Sequence, residues 1–201
     1  MLDRLTLSLV KPAVDAAAQW LSKRGFTADQ VTLAGFALGL LAAVLVASGH
    51  SLLAVIPLLA NRALDGIDGA LARLSTTSER GAFLDISLDF VFYAAIPLAF
   101  GFAAPEQNAL AAAALLAAFV VTGTSFLAFA VLAEKRGLKS ATYPSKAFYY
   151  LGGLTEGTET ILCFLAMCLW PEHFTGLAYF YAMLCVLTSA TRLHAGWKAF
   201  G

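Results

Sequence analysis

The stretch Asn61-Arg62-Ala63-Leu64-Asp65-Gly66-Ile67-Asp68-Gly69-Ala70-Leu71-Ala72-Arg73, followed by Gly81-Ala-Phe-Leu-Asp85-Ile-Ser-Leu-Asp89, sets four aspartates inside two otherwise apolar runs. Each aspartate within a bilayer costs at least about 2.5 kcal/mol on insertion scales, so four in one place require a strong compensating interaction. Residues at i, i+3, i+4, i+7 and i+8 of a helix share a face. Asp65, Asp68, Gly69, Ala72 and Arg73 therefore line one stripe, and Gly81, Asp85 and Asp89 line a stripe on the next helix. The two runs are antiparallel across a short turn. At about 1.5 Å per residue, Asp65 and Asp89 fall at matching depth, on the order of 12 Å inside the helix ends, with Asp68 and Asp85 nearer the mouth.

Outward from this pair of helices, the chain reads as a membrane protein. Of its 201 residues, 60% are hydrophobic and 13% charged, against roughly a quarter charged in soluble domains, and the mean hydropathy is +0.77. The apolar residues fall in runs near the length of about 20 that crosses a bilayer as helix. Six spans are expected near 28–48, 52–75, 80–103, 108–133, 146–170 and 174–199. Before them, Leu5, Leu9, Ala13, Ala16 and Trp20 share one face of an amphipathic helix over 1–25, expected to lie on the membrane surface and to bend near Pro12. Its charges are spread along it, which excludes a signal peptide.

In this threading all 13 Lys and Arg fall toward the side that bears the termini. The opposite turns, at His50-Ser51, Ala104–Gln107 and Pro171–Phe174, have none. Positive residues mark the cytoplasmic face, so both termini and the mouth of the aspartate cavity are expected there. The formal net charge of zero gives no sign of nucleic-acid binding. Cys163, Cys168 and Cys185 lie in apolar runs without ligand spacing and read as small hydrophobes, and His50, His173 and His194 carry no assigned role.

Four converging carboxylates repel one another unless cations neutralise them, and hard oxygen ligands in a wet cavity suit Mg²⁺, Mn²⁺ or Ca²⁺. Gly69 and Ala72 leave the backbone bare beside them, and Arg73 offers a planar fork to phosphate oxygens. Metals, fork and bare backbone together describe a pyrophosphate site. An ion- or proton-coupled carrier is the competing reading of intramembrane aspartates, but it leaves the Gly69, Ala72 and Arg73 stripe without a purpose.

The pattern Asp65-x2-Asp68-Gly69-x2-Ala72-Arg73 with Gly81-x3-Asp85-x3-Asp89 resembles the signature of the CDP-alcohol phosphotransferases (CDP-alcohol phosphatidyltransferases). Seven residues separate Arg73 from Gly81 where the family usually has eight, which touches the turn and not the helical spacing of the carboxylates. Thr27-Ala28-Asp29 is similar to the Thr-Pro-Asn that often opens the first span of the family. Asn61-Arg62-x2-Asp65, the 81–90 phrase and Leu154–Thr160 look like a YnjF-type bacterial inner-membrane branch.

The resemblance implies one all-α membrane domain over 1–201, an interfacial helix (1–25) with a six-span bundle (28–199), in a bacterial inner membrane. It implies transfer of a phosphatidyl-type group from a CDP-alcohol, expected to be CDP-diacylglycerol, to an alcohol acceptor in phospholipid biosynthesis, with release of CMP. Two divalent cations, Mg²⁺ or Mn²⁺, would be held by Asp65, Asp68, Asp85 and Asp89. Asp89 would also act as general base, and Gly69, Ala72, Arg73, Gly81 and Asn61 would cradle the CDP moiety.

Three features fall outside that signature. Glu156 and Glu159, one turn apart near Gly152, Gly153 and Gly157, are expected on the acceptor side of the cavity. Lys135, Arg136, Lys139 and Lys146 read first as a positive-inside loop touching anionic lipid. With Arg136 and Lys146 on the acceptor side, they also lean toward a phosphorylated polyol such as glycerol 3-phosphate. Gly35 and Gly39 read first as helix packing, with a homodimer interface as the sharper alternative.

Overall fold

The computed structural model describes residues 3–75, 78–137 and 154–201, with side chains from residue 10 onward. The described residues form α1 (Asp3–Lys23), α2 (Ala28–Ala47), α3 (Ser51–Leu74), α4 (Glu79–Ala103), α5 (Pro105–Lys135), α6 (Gly157–Leu169), a short 3₁₀ turn at Pro171–His173, and α7 (Phe174–Phe200). By length and composition α2, α4, α5 and the 171–200 segment can each cross a membrane. α3 has the length as well, but Arg62, Asp65, Asp68 and Arg73 make it too charged to qualify on apolarity. α6 is apolar but has only 13 residues, about 20 Å of helix. The expected fifth span began at 146; its first part lies outside the described residues, and Leu154–Glu156 are not helical.

Local sequence sets the helix ends. Thr27 and Gln30 form a reciprocal capping box at the start of α2, with bonds of 3.3 and 3.1 Å. Ser78 accepts from Gly81 N at 3.0 Å to open α4. α1 and α2 each end in a Schellman turn whose C′ residue is glycine: Gly25 (φ 81°) and Gly49 (φ 79°) take the left-handed conformation. Phe26 N donates to Leu21 O, and His50 N donates to Leu45 O.

α2 packs on both α3 and α4, α4 continues to α5, and α5 packs on α7. The main core runs through Leu58, Phe92, Ile96, Phe100, Leu115 and Phe164. Gly35 and Gly39 are buried within the chain. A Cβ on Gly35 would stand 3.2 Å from Leu64 Cβ, and one on Gly39 would stand 2.7 Å from Phe92 Cδ2. This stripe serves packing of α2 against α3 and α4, so a homodimer would have to use another face.

α1 docks on the bundle through Val14, Ala18 and Leu21, which join Val31, Ala70 and Leu71 in a second small core. The apolar stripe points away from the bundle: Ala13, Ala16 and Trp20 are exposed, with Trp20 stacked under the Arg24 guanidinium at 3.8 Å. The side chains of Leu5 and Leu9 lie outside the described residues.

Candidate active site

The four aspartates arrive from two helices. α3 presents Asp65 and Asp68, α4 presents Asp85 and Asp89, and all four line one cavity together with Thr32, Gly35 and Phe36 of α2. The aspartates of the two stripes are therefore brought to one cavity, which Gly69, Ala72, Arg73 and Gly81 do not line. Asp68 is buried and accepts a 2.6 Å bond from the Thr32 hydroxyl. Asp65 and Asp89 are about one-third exposed, at 34% and 31%.

A cation already stands among them. The Arg62 guanidinium contacts Asp89 Oδ1 at 2.9 Å through Nη2 and Asp65 Oδ2 at 3.6 Å through Nη1. Its Nε donates to Asn61 Oδ1 at 2.7 Å, and Nη1 lies 3.4 Å from the Tyr93 hydroxyl. The spacing explains the cluster. Arg62 and Asp65 are at i and i+3 on α3, while Asp89 and Tyr93 are at i and i+4 on α4, so each pair shares a face. The charge asymmetry places Arg62 among the cytoplasmic positive charges. It lies mid-helix instead, and its side chain is only 15% exposed. Its signal in the sequence was an arginine one turn before an intramembrane aspartate. Arg192, counted in the same way, is also buried; it donates to Thr122 O at 3.2 Å.

Four carboxylates in one cavity are a donor set for hard divalent cations. Asp65 lies within electrostatic reach of Asp68, Asp85 and Asp89 as well as Arg62. With the guanidinium between Asp65 and Asp89, no three of these carboxylates, nor any other such group among the described residues, close around a single point. The space left among them is about 10 Å³, room for roughly one water. The chemistry fits divalent metals, provided that Arg62 moves.

The expected CDP-binding residues lie beside this cavity, toward the α3–α4 turn. Arg73 is exposed, and its Nη1 stands 3.6 Å from where a Cβ on Gly69 would be. Ala72 and Gly81 are partly exposed. A Cβ on Gly81 would meet Asp29 Oδ1 and Ser78 Oγ, each at 3.1 Å. Asp29, at the start of α2, accepts from Arg80 at 3.1 Å. Asn61 lines the cavity, but its amide is engaged on both sides: Nδ2 donates to Gly35 O at 2.9 Å and Oδ1 accepts from Arg62. It positions α2 and Arg62, and it does not present a free amide to a ligand.

Of the expected acceptor-side residues, Glu156, Glu159 and Arg136 are described. Glu156 is buried at the N-cap of α6 and Glu159 lies in its first turn, and neither lines the aspartate cavity. Their neighbours Thr160 and Thr155 bond to α7: Thr160 and Tyr181 share a 2.7 Å hydroxyl contact, and Thr155 bonds Thr188. Arg136 caps the end of α7, donating to Ala199 O at 3.1 Å and Phe200 O at 2.8 Å, as a cation suits carbonyls at a helix C-terminus. Arg136 does not line the aspartate cavity. Lys139, Lys146, Gly152 and Gly153 lie outside the described residues.

Residues 26–191 match the CDP-alcohol phosphatidyltransferase family. The chain is 52% identical over 197 residues to the inner membrane protein YnjF of Escherichia coli strain K12, covering 98% of this chain and 96% of YnjF. It is 37% identical to the archaetidylinositol phosphate synthase of Pyrococcus horikoshii over 81 residues, covering 40% of this chain and 43% of that one. Its fold is similar to that of the phosphatidylinositol phosphate synthase PgsA1 of Mycobacterium tuberculosis. The crystal structure with CDP-DAG bound gives a TM-score of 0.70 at 23% identity, covering 92% of this chain and 93% of that one. The complex with manganese and citrate gives 0.72 at 23% identity, covering 92% and 88%.

Proposed function

We propose that this chain, which belongs to the CDP-alcohol phosphatidyltransferase family and is a phosphatidyltransferase, joins the phosphatidyl group of CDP-diacylglycerol to an alcohol and releases CMP at the cavity of Asp65, Asp68, Asp85 and Asp89. The observation that carries this reading is the convergence of those four carboxylates, from α3 and α4, on one cavity. The fold neighbour, crystallised with CDP-DAG bound and in complex with manganese and citrate, supports the same donor and a divalent cation at the site.

Asp65, Asp68, Asp85 and Asp89 would hold two divalent cations, Mg²⁺ or Mn²⁺. Bound there, the cations would neutralise pyrophosphate charge and stabilise the departing CMP. Arg73 grips phosphate oxygens through its fork. Gly69, Ala72 and Gly81 keep side-chain bulk away from the nucleotide. Asp89 takes the proton of the acceptor hydroxyl as that oxygen attacks the phosphorus of the phosphatidyl group. The bond from that phosphorus to the bridging oxygen breaks, and CMP leaves with the electron pair.

The chain is organised in this reading as a single domain with six spans and an N-terminal helix on the membrane surface. It sits in a bacterial inner membrane with both termini and the site on the cytoplasmic side. The turns at 48–50, at Ala104 and at 170–173, which contain no Lys or Arg, support that orientation. The acceptor approaches from the α6 side, where Glu156 and Glu159 influence which alcohol is used. α6 packs on α3, and its Phe164 touches Phe92 and Tyr93 beside the cavity.

The test is CMP release by purified protein from CDP-diacylglycerol, with Mg²⁺, Mn²⁺ or EDTA, across acceptors that include glycerol 3-phosphate and amino alcohols. Metal-dependent release with one acceptor class supports the reading, and no release with any acceptor contradicts it. Glu156→Gln and Glu159→Gln should change the ranking of acceptors. A uniform change, or none, makes these glutamates structural.

A further inference from the structure

We infer that Arg62 is a resident counter-ion of the metal-free site, one that must release Asp65 and Asp89 before divalent metals bind. This rests on the two-metal reading above and adds a residue outside the family signature to the site. The guanidinium fills the position between Asp65 and Asp89, the cavity keeps room for about one water, and no three carboxylates close on one point. Without a cation there, four carboxylates in one cavity would repel one another, and the partly exposed Asp65 and Asp89 would lose their counter-charge.

Arg62 is also built to let go. Three of its contacts carry no charge: Asn61 Oδ1 at 2.7 Å, the Tyr93 hydroxyl at 3.4 Å, and the Phe92 ring face, 4.6 Å from the guanidinium carbon to the ring centroid. Asn61 is itself locked to Gly35 O. These contacts can retain the guanidinium at the cavity wall while Asp65 and Asp89 turn to metals, and the ring supplies cation–π attraction. With two divalent cations balancing four carboxylates, Arg62 then leaves the loaded site one positive charge in excess, which favours an anionic pyrophosphate.

The experiment compares wild type and Arg62→Gln, purified in detergent, by thermal unfolding in EDTA and in saturating Mn²⁺ and by calorimetric Mn²⁺ titration. In EDTA the variant should melt lower by about 2–4 °C. Saturating Mn²⁺ should narrow that gap, because metal replaces the lost charge and stabilises by binding only the folded state. The variant should bind Mn²⁺ about tenfold more tightly, since no guanidinium has to be displaced, a change of about 1.4 kcal/mol. A gap of equal size with and without Mn²⁺, or equal Mn²⁺ affinities, overturns the exchange and makes Arg62 an ordinary packing residue. Failure of wild type itself to bind Mn²⁺ overturns the two-metal reading instead. If Arg62→Gln does not accumulate, recovery of folded protein in Arg62→Gln/Asp89→Asn supports the counter-ion role, and no recovery overturns it.

Discussion

The hydroxyl of Thr32 lies 2.6 Å from Asp68 Oδ2 and 3.0 Å from Ala28 O. It has one proton, and the shorter contact with a carboxylate takes it. α2 thus orients the most buried of the four aspartates, although its own carboxylate, Asp29, does not line the cavity. Thr32→Val keeps the shape and removes the donor. Loss of such a supporting bond around a metal ligand typically costs 10–100-fold in metal affinity or activity. A loss of that order is expected in Mn²⁺ affinity, with folded yield unchanged; an affinity equal to that of wild type would show that Asp68 needs no orientation.

Asp85→Asn and Asp89→Asn should each abolish turnover, for different reasons. Asp85→Asn is expected to raise the metal concentration needed for activity. Asp89→Asn is expected to act chiefly on kcat, because a lost base affects the transition state more than substrate binding. Both should remain folded: Asp85→Asn relieves repulsion in the shared cavity, and Asp89→Asn leaves Arg62 with Asp65 as its carboxylate partner. Wild-type activity in either variant would remove that residue from the chemistry.

Arg73→Lys keeps the charge and loses the fork. Arg73 stands exposed beside Gly69, at the rim of the stripe that carries Asp65 and Asp68. A point charge grips two phosphate oxygens less well than a planar guanidinium. KM for CDP-diacylglycerol should rise and kcat should fall, while Mn²⁺ affinity stays as in wild type. Unchanged kinetics would take Arg73 out of the donor site.

The bundle was legible because its signals are local. Runs of apolar residues separated by the turns at His50-Ser51 and Ala104–Gln107 place α2, α3 and α5 within a few residues of their observed ends. Helical spacing in two short windows also brought four aspartates to one cavity. The tertiary partners were not legible. Nothing in the local pattern says that Thr32 faces Asp68, because that depends on how α2 packs against α3. Arg62 was hidden by the argument that oriented the chain, since a count of positive charges by side treats a buried arginine like a loop lysine. On α1, spacing identified an apolar stripe but could not tell which face meets the bundle, and Val14, Ala18 and Leu21 do.

Gly39→Ala tests the packing under the site. The new Cβ would stand 2.7 Å from Phe92 Cδ2 and 3.1 Å from Asn61 Nδ2, the two side chains that support Arg62. Overpacking of this kind costs about 1–3 kcal/mol, which lowers Tm by roughly 2–4 °C per kcal/mol in a chain of this size. Gly176→Ala, on α7 with nothing within 4 Å of the added Cβ, should be neutral or slightly stabilising. Equal melting of the two variants would contradict the close approach of α2 to α4.

The most direct measurement counts Mn²⁺ bound per chain by electron paramagnetic resonance titration of the purified protein, in wild type and in Asp65→Asn, Asp68→Asn, Asp85→Asn and Asp89→Asn. Two ions per chain are predicted for wild type, with at least one lost or markedly weakened in each variant. No bound ion in wild type, or the same count and affinity in all five proteins, would contradict a two-metal centre at the four aspartates.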